Sequence, residues 1–330
     1  MEKTAVKRKT GADWGRLAIQ FVLKYGIYLV FLILCAIIAV ASPVFLTVRN
    51  LTNVLLQTSS VGIIAVGMTF VIIARGIDVS VGSIVALASA VGVSAMKANG
   101  QPWWLGMLLM LGVGVIVGLV NGISSAQLKM PAFLVTLATM IMANGFVLAM
   151  SGGKWFYGLP PVFGALGRGK LGPLPLPVVI MLLTFLGGYL LLSKTVFGRR
   201  VYAIGGNPDA ARVSGINVER VYMLTFVLSG LLSGLSSLVL SARLDSFSAT
   251  MGQGYEFSAI AGVVMGGTSL AGGEGNMGGT LVGILMIGVI NNALNLLGVS
   301  VFYQDVIRGA IIFTAVLLDT LRKRYSYLIE

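Results

Sequence analysis

Long apolar runs separated by short polar stretches dominate this chain. Ten of them approach the roughly 20 residues that a helix needs to cross the hydrocarbon core of a bilayer. The predicted spans are 25–45, 54–74, 79–96, 103–125, 132–150, 174–192, 222–242, 257–270, 278–297 and 304–321. The eighth is short and rich in glycine, so we expect it to be broken or re-entrant. The runs are continuous rather than alternating, which favours an all-α polytopic membrane protein over an outer-membrane barrel.

Composition excludes several other classes of protein. Of 330 residues, 57% are hydrophobic and only 10% are charged, against about 25% charged in ordinary soluble domains. We therefore exclude a soluble enzyme and treat residues 1–330 as one transmembrane domain. Histidine is absent and Cys35 is the only cysteine, which excludes an intrachain disulfide, Cys/His zinc ligation and a histidine general base. We expect this chain to be non-catalytic and to hold no cofactor or metal ion.

The positive charges indicate how the chain is oriented. The net charge is +12, and the 23 Lys and Arg residues lie mainly between the apolar runs and near the chain ends. This placement is typical of topology signals rather than of nucleic-acid binding. With the N-terminus in the cytoplasm, sixteen of these residues fall on the cytoplasmic side and six outside. The bias predicts that both termini, including segment 1–24, are cytoplasmic. We favour an uncleaved first helix over a signal peptide, because the run is longer than an ordinary h-region and nine more spans follow.

The longest internal polar segment, 195–221, follows six predicted spans and is therefore expected in the cytoplasm. Within it, Asn207 is a good N-cap, Pro208 suits the first helical position, and Asp209 complements the helix dipole. Gly215 can end the helix. The pattern predicts a short capped helix that docks a cytoplasmic partner, and the alternative is an ordinary solvated loop. The candidate docking residues are Asn207, Pro208, Asp209, Ala210, Ala211, Arg212, Val213, Ser214 and Gly215.

A few polar residues in or beside the spans are candidates for a translocation path or gate. Asp78 and Ser80 lie at the start of the third span, and either can cap it; an ionisable group such as Asp78 near membrane depth can also serve a gate or ion coupling. Asn291 and Asn295 share one face of the ninth span, and Asn144 lies on the fifth. Their amides match the hydroxyl groups of a sugar, and they can equally link one helix to another.

Small residues recur at four-residue spacing in several spans. Gly114, Gly118 and Gly122 form two overlapping steps in the fourth span, and the pairs Gly230–Gly234 and Gly279–Gly283 repeat the spacing. Such steps let helix backbones approach closely. We predict a tightly packed helical bundle.

Four segments, 76–83, 197–216, 254–275 and 291–304, resemble in order the permease subunits of bacterial ABC importers for monosaccharides, of the ribose type. The likeness covers roughly residues 46–318. It is carried above all by the strings GRRVYAIGGNPDAARVSGINV and GYEFSAIAGVVMGGTSLAGG. The sequence departs from the family at Arg75, where a small residue is usual, and at Glu274, where a basic residue is frequent.

The resemblance implies the fold of the vitamin B12 importer (type II), with about ten helices in each subunit. It also implies that two permease subunits pair within membrane lipid, here as a homodimer, and that cytoplasmic ABC ATPase subunits dock on helix 207–215. ATP and magnesium would then bind in those partner subunits. A periplasmic or lipid-anchored sugar-binding protein would deliver the substrate outside the bacterial inner membrane.

The combined expectation is the permease of an ATP-driven importer that moves a ribose-like pentose or a related sugar inward by alternating access. The alternative is an ion-coupled secondary sugar transporter, which needs titratable groups along its path. The groups near the predicted membrane are Asp78, Glu256, Glu274, Asp305 and Arg308. A membrane-embedded enzyme is a third possibility, but the chain lacks a catalytic constellation.

Overall fold

The computed structural model of the protein describes residues 11–97 and 102–300, and beyond these residues 302–304, 306–307, 309–311, 313–314 and 317. The described chain is mostly helical. Its helices are α1 (Gly11–Ala41), α2 (Val48–Ile73), α3 (Val81–Lys97), α4 (Trp103–Ala126), α5 (Ala132–Ser151), α6 (Pro161–Arg168), α7 (Leu176–Lys194), α8 (Val196–Gly206), α9 (Pro208–Val213), α10 (Val218–Leu244), α11 (Tyr255–Met265) and α12 (Met277–Leu296). Four two-residue strands, β1 (Phe156–Tyr157), β2 (Lys170–Leu171), β3 (Leu174–Pro175) and β4 (Ser246–Phe247), form the antiparallel pairs β1–β4 and β2–β3.

The helical, multi-pass class predicted from the hydropathy pattern is confirmed. Nine predicted spans each coincide with a helix, and six helices in the described part are long and apolar enough to cross a membrane, namely α2, α4, α5, α7, α10 and α12. The described apolar parts of α1 and α3, Gly26–Ala41 and Val81–Lys97, are shorter. The described residues between 302 and 317 are helical. The remainder of the predicted tenth span, including Asp305 and Arg308, lies outside the described residues, so the count of ten stays a prediction.

The predicted eighth span is a short helix followed by loop. Helix α11 has 11 residues, which gives a length of about 16 Å at 1.5 Å per residue. The hydrocarbon core is about 30 Å thick, so α11 alone does not cross it. The chain leaves the helix at Gly266 and continues through a loop in which Gly267, Gly272 and Gly273 have positive φ. The expectation that this span is broken is confirmed.

Side-chain caps move several helix starts away from the predicted positions. The side chain of Thr47 accepts a hydrogen bond from the amide of Asn50, so α2 begins at Val48 rather than at residue 54. The side chain of Asn217 likewise accepts from the amide of Arg220 at 2.8 Å and starts α10. A cap satisfies backbone amides that a helix start leaves unpaired, and hydropathy alone does not reveal it.

The backbones of α4 and α10 approach closely through the glycines that the sequence singles out. A Cβ atom placed on Gly114 would overlap the carbonyl oxygen of Gly230, and one on Gly118 would lie 2.5 Å from the carbonyl oxygen of Phe226. Gly234 meets the carbonyl oxygen of Met110 in the same way, at 2.6 Å. These positions therefore accept no side chain at the observed helix separation.

A second glycine contact joins α11 to α12. A Cβ atom on Gly279 would overlap the carbonyl oxygen of Gly266, and one on Gly283 would overlap that of Gly262. The four small-residue steps predicted from the sequence, on α4, α10 and α12, are thus all packing contacts between helices. The contact fixes the short helix α11 against a helix that is long enough to span.

Helix α2 lies at the centre of the bundle. Within its most apolar 18 residues 83% are buried, compared with 67% for α10 and 22–33% for α4, α5 and α7. A helix that is apolar on all sides is buried on all sides, whereas α4, α5 and α7 turn large apolar side chains outward. The outward side chains of α5 include Phe133, Leu134, Ile141, Met142 and Phe146. We infer that these outer helices face lipid.

The bundle has two distinct ends. At the first, which we call the α9 end, the turn 74–80, α8, α9 and the loop 266–276 meet: the amide of Gly273 donates to the carbonyl of Ile73 at 2.9 Å, and the hydroxyl of Tyr202 donates to the carbonyl of Gly275 at 2.6 Å. At the opposite end, β1 pairs with β4, α6 packs on α10, and Arg168 lies 3.5 Å from Asp245. The polar segment 195–221 and the Gly/Pro-rich segment 152–173 therefore lie at opposite ends, as the predicted topology requires.

The close contact between α4 and α10 predicts how single glycine substitutions act. Gly114→Ala should lower the melting temperature of the purified protein in detergent by several degrees, because overpacking a filled contact costs about 1–3 kcal/mol. Gly112→Ala is the matched control on the same helix, since no atom lies within 4 Å of a Cβ placed there. Fluorescence-monitored thermal unfolding measures both. Equal melting of the two variants would contradict the observed helix separation.

Candidate functional site

Helix α9 begins and ends at specific local signals. The Oδ1 atom of Asn207 accepts hydrogen bonds from the amides of Asp209 and Ala210, both at 3.0 Å, and Pro208 occupies the first helical position. At the other end Gly215 has φ of 80°, its amide donates to the carbonyl of Arg212, and the amide of Ile216 donates to that of Ala211. This pair of hydrogen bonds is a Schellman motif. The predicted capped helix is confirmed; its docking role remains to be tested.

Ion pairs and one buried side chain hold α9 in place. The guanidinium of Arg212 lies 2.8 Å from Glu219 at the start of α10 and 3.2 Å from Asp209. The hydrogen bond and the negative charge of Glu219 raise the pKa of Arg212, so the guanidinium stays charged. Ala211 is 4% exposed and packs into the main apolar core, whereas Val213 is 91% exposed. The helix therefore presents Ala210 and Val213 outward and uses Ala211 to attach itself to the bundle.

Arg75 attaches the end of α2 to the end of α8. Its Nε donates to the carbonyl of Gly205 and one Nη to the carbonyl of Gly206, both at 2.6 Å. These carbonyls belong to the last turn of α8, where carbonyl groups lack partners within the helix and a cation is favourable. Arg75 itself has φ of 68°, a conformation that is costly for a residue with a side chain. Arg75 thus forms a direct link from the central helix to the segment that precedes α9.

Asp78 and Ser80 lie in a fully buried hydrogen-bond network. One carboxylate oxygen of Asp78 accepts from the amide of Ser80 at 3.0 Å and from its hydroxyl at 2.6 Å, and the other accepts from the hydroxyl of Ser229 at 2.9 Å. Asn121 donates to the hydroxyl oxygen of Ser80 and accepts from Thr139. The network joins the start of α3 to α4, α5 and α10. Neither Asp78 nor Ser80 has an exposed surface here, so their assignment to the path stays a prediction.

The predicted path residues Asn144 and Asn291 lie together on a polar cavity. This cavity has a volume of about 880 Å³ and surrounds the N-terminal end of α11, where Gln253, Glu256 and Ser258 also line it. Ligand pockets for small molecules have volumes of about 300–1,000 Å³, so it is large enough for a small polar solute. We call it the polar cavity.

A smaller cavity of about 280 Å³ adjoins the polar cavity and shares Gln253, Ser258 and Asn291 with it. Its other polar lining comes from Gln57 at the outer part of α2, Arg243 on α10 and Asn295 on α12. Asn295 also accepts a hydrogen bond from Gln304 at 2.9 Å, so it serves a contact between segments as well as the cavity. The structure therefore places the three predicted asparagines on adjoining cavities, away from Asp78.

Four polar lining residues, Arg243, Gln253, Glu256 and Ser258, were not predicted from the sequence as path residues. Glu256 was named from the sequence only as a titratable group near the membrane for the ion-coupled alternative, and Glu256 and Ser258 lie within the resembling string 254–275. No pattern pointed to Arg243 or Gln253. The neighbouring Asn292 does not line either cavity: it exchanges two hydrogen bonds with Asn50 at 2.9 and 2.8 Å and links α12 to α2. For Asn292 the interhelical interpretation is confirmed.

Apart from the carboxylate of Glu256, the polar side chains that line the polar cavity are amides and hydroxyls, and the larger part of its lining is apolar. Amides and hydroxyls donate and accept hydrogen bonds without requiring a charge on the ligand, and Phe257 adds an apolar surface. Within residues 26–97 and 102–300, no three His, Cys, Asp or Glu side chains come close enough to hold a metal ion.

Comparison with known proteins gives consistent matches over most of the chain. A family model described as "branched-chain amino acid transport system / permease component" matches residues 50–316. The chain is 47% identical to ribose import permease protein RbsC of Bacillus subtilis, over 90% of this chain and 92% of that protein. It is 41% identical to RbsC of Haemophilus influenzae (91% and 94% covered) and 35% identical to xylose transport system permease protein XylH of Escherichia coli (90% and 93%). No solved structure gives a significant match.

The network around Asp78 predicts a stability effect that separates two substitutions. Asp78→Ala should lower the melting temperature in detergent more than Asp78→Asn, because alanine leaves the hydroxyls of Ser80 and Ser229 without their acceptor. Each buried group left without a partner costs about 1–3 kcal/mol, whereas asparagine retains one acceptor of similar shape. If both variants have the melting temperature of the unaltered protein but transport is lost, Asp78 acts in the translocation path and does not stabilise the helix packing.

The contact of Arg75 with α8 predicts a local effect. Arg75→Ala should speed amide hydrogen exchange in the last turn of α8 by about tenfold, since hydrogen bonds to a charged group contribute about 1.5–3 kcal/mol. Arg220→Ala is the matched control, an exposed arginine at the same end. Mass-spectrometric exchange on the full-length protein measures both. Unchanged exchange in Arg75→Ala would show that the two hydrogen bonds do not hold this turn.

Proposed function

We infer that this chain, which belongs to the family of transport-system permease components, is the membrane-spanning permease subunit of an ATP-driven sugar importer in the bacterial inner membrane. The observation that carries the docking mechanism is helix α9. It has a defined start and stop, it is attached to the bundle through Ala211 and Arg212, and its remaining face is exposed. A solvated connecting loop needs none of these features.

We propose that cytoplasmic ABC ATPase subunits dock on helix 207–215. The exposed face offers Asp209, Ala210 and Val213, and Asn207 and Ser214 at its ends. Arg75 connects the preceding helix α8 to the end of α2, and the hydrogen bond from Gly273 to Ile73 joins the loop 266–276 to the same end. A displacement of α9 by the ATPases would thus reach the central helix directly. ATP and magnesium bind in the partner subunits, and this chain supplies no hydrolytic chemistry.

The substrate that we propose is a ribose-like pentose or a related sugar. Two of the relatives described above are named for ribose import and one for xylose transport. The polar cavity supports the same class, since Asn144, Gln253 and Asn291 offer amides to hydroxyl groups. Weak and distributed contacts of this kind allow a solute to pass without being trapped. A periplasmic or lipid-anchored sugar-binding protein would then supply most of the selectivity.

The assembly that we propose contains two copies of this chain. They would form a homodimer around a central path, with the type II fold of the vitamin B12 importer and with both termini in the cytoplasm. In this arrangement the α9 end faces the cytoplasm, and the polar cavity opens toward the outer side. The excess of Lys and Arg in the segments assigned to the cytoplasm supports this orientation.

The exposed face of α9 predicts which substitutions uncouple the ATPases. Val213→Glu and Ala210→Glu should abolish most co-purification of the ATPase subunits while leaving the permease inserted and folded, because both side chains point outward. Ala211 is not suitable for this test, since it is buried. Leu171→Glu is the matched control, an exposed apolar residue at the opposite end. Normal co-purification with both α9 variants would overturn the docking role.

Energy coupling predicts how the reconstituted complex responds to ATP and to ion gradients. Proteoliposomes that contain the permease, its ATPases and its binding protein should take up labelled ribose or a related pentose only with ATP, and ionophores should leave the rate unchanged. Asn144→Leu should slow uptake severalfold without loss of ATPase binding, while Met142→Leu on the same helix should not. Uptake that persists without ATP and stops when the ion gradient is removed would show that the protein is a secondary transporter and not an ATP-driven importer.

A further inference from the structure

A separate cavity lies under α9, at the same end of the bundle and away from the polar cavity. It has a volume of about 390 Å³ and lies between the end of α4, helix α9 and the start of α10. Its lining includes Arg75, Lys129, Arg212, Glu219, Ser125 and Tyr222. We call it the α9 cavity. Neither the docking face of α9 nor the sugar path uses it.

The lining of the α9 cavity is strongly basic. Three cations, Arg75, Lys129 and Arg212, face one carboxylate, Glu219. Arg212 lies 2.8 Å from Glu219 and 3.2 Å from Asp209, so these carboxylates offset its charge. The excess positive charge of the lining comes from Arg75 and Lys129. The two hydrogen bonds of Arg75 to the end of α8 use Nε and one Nη, and a guanidinium carries further N–H donors on its other Nη. Positive charge therefore remains available to a ligand in this cavity.

The backbone conformation directs two of these cations to the same place. Arg75 has φ of 68° and Lys129 has φ of 55°. In the described part of the chain only one other non-glycine residue, Asp245, has positive φ. Both residues follow the C-terminus of a helix, where one residue in the left-handed conformation is a common ending; that residue is usually glycine, because a side chain adopts the conformation at a cost. The two turns that follow α2 and α4 thus both bring a cation to the α9 cavity.

Ser125 provides an independent observation that points to a ligand. It lies in the last turn of α4, is 8% exposed and lines the α9 cavity. Its hydroxyl group has no hydrogen-bond partner among the described residues. Buried hydroxyl groups are normally paired. A hydroxyl beside three cations is suited to donate a hydrogen bond to an oxygen of an anion.

The surface beside the cavity is apolar and exposed. Leu128 and Met130 flank Lys129 in the turn between α4 and α5, and Phe133 and Leu134 follow at the start of α5. A phospholipid whose headgroup entered the cavity would place its acyl chains on this surface. Basic pockets between transmembrane helices on the cytoplasmic side are typical sites for anionic lipid headgroups.

We propose that the α9 cavity binds a phosphate group, with Lys129, Arg75 and Arg212 as its cations and Ser125 as a hydrogen-bond donor. The same phosphate chemistry is offered by an anionic phospholipid and by free phosphate. Bound there, the phosphate would bridge the turns after α2 and α4 to α9 and so fix the docking helix against the bundle. The binding does not depend on the proposed sugar transport, and the test below measures binding alone.

The test is native mass spectrometry of the delipidated full-length permease in detergent. It is titrated with phosphatidylglycerol, with phosphatidylcholine and with inorganic phosphate alone. The unaltered protein should retain phosphatidylglycerol in preference to phosphatidylcholine. Lys129→Gln should weaken this binding about fivefold, the effect expected for one cation near an anionic headgroup. Ser125→Ala should weaken it as well. Lys194→Gln, an exposed lysine at the same end outside the cavity, should bind like the unaltered protein.

Each outcome decides the proposal. Binding of phosphatidylglycerol that is sensitive to Lys129 and Ser125 assigns the site to a lipid headgroup, and equally sensitive binding of inorganic phosphate alone assigns it to a soluble phosphate. If neither variant weakens binding of either probe, or if Lys194→Gln weakens it as much, the proposal is wrong. Thermal unfolding shows whether each variant is folded. If Lys129→Gln does not fold, Ser125→Ala still tests the site, because it removes only one oxygen atom.

Discussion

The bundle depends on the close approach of helix backbones through glycine. Within a bilayer, lipid tails are as apolar as leucine side chains, so helices associate through packing and interhelical hydrogen bonds rather than through a hydrophobic gain. Gly114 and Gly230 bring α4 against α10, and Gly262 and Gly283 bring α11 against α12. The buried polar groups can then reach their partners across the interfaces. The network of Asp78 is of this kind, since Asn121 on α4 and Ser229 on α10 both reach the turn that holds Asp78 and Ser80.

Helix α2 connects the two regions to which we assign function. In its N-terminal half, Gln57 and Thr58 line the smaller cavity, and at its C-terminal end Ile73 accepts a hydrogen bond from Gly273. Arg75 continues the connection to α8, which leads directly into α9. Because α2 is packed on nearly all sides, it transmits a displacement instead of absorbing it locally. In the proposed importer, α2 would carry the movement caused by ATPase docking at α9 to the cavities that form the sugar path.

The features that could be predicted from the sequence are those determined by signals within a few residues of one another. Continuous apolar runs predicted the helices, and Asn207, Pro208 and Gly215 predicted the start and end of α9, because caps act over three or four residues. The spacing of Gly114 and Gly118 predicted a packing face for the same reason. The short helix α11 was anticipated as a broken span from its glycine content and its length.

Other features depend on residues far apart in the chain, and no local pattern reveals them. Arg75 meets Gly205, 130 positions away, and Asp78 meets Ser229, 151 positions away. The sequence offered Asp78 as a helix cap or as a gate residue, and only the structure shows that it is buried in a hydrogen-bond network. The sequence did not predict Arg243 and Glu256 on the cavities, because their positions follow from where α10 ends and α11 begins. Helix α8 was also missed, since it lies in a segment that hydropathy marks only as polar.

The most direct test of the proposed coupling is the accessibility of α9 in the assembled transporter. Cys35 is the only cysteine, so Cys35→Ala gives a background in which Val213→Cys and Leu171→Cys can be labelled singly with a maleimide. The docking proposal predicts that Val213→Cys reacts rapidly in the permease alone and is protected when the ATPases are bound, while Leu171→Cys reacts equally in both. Equal reactivity of Val213→Cys in both states would contradict it.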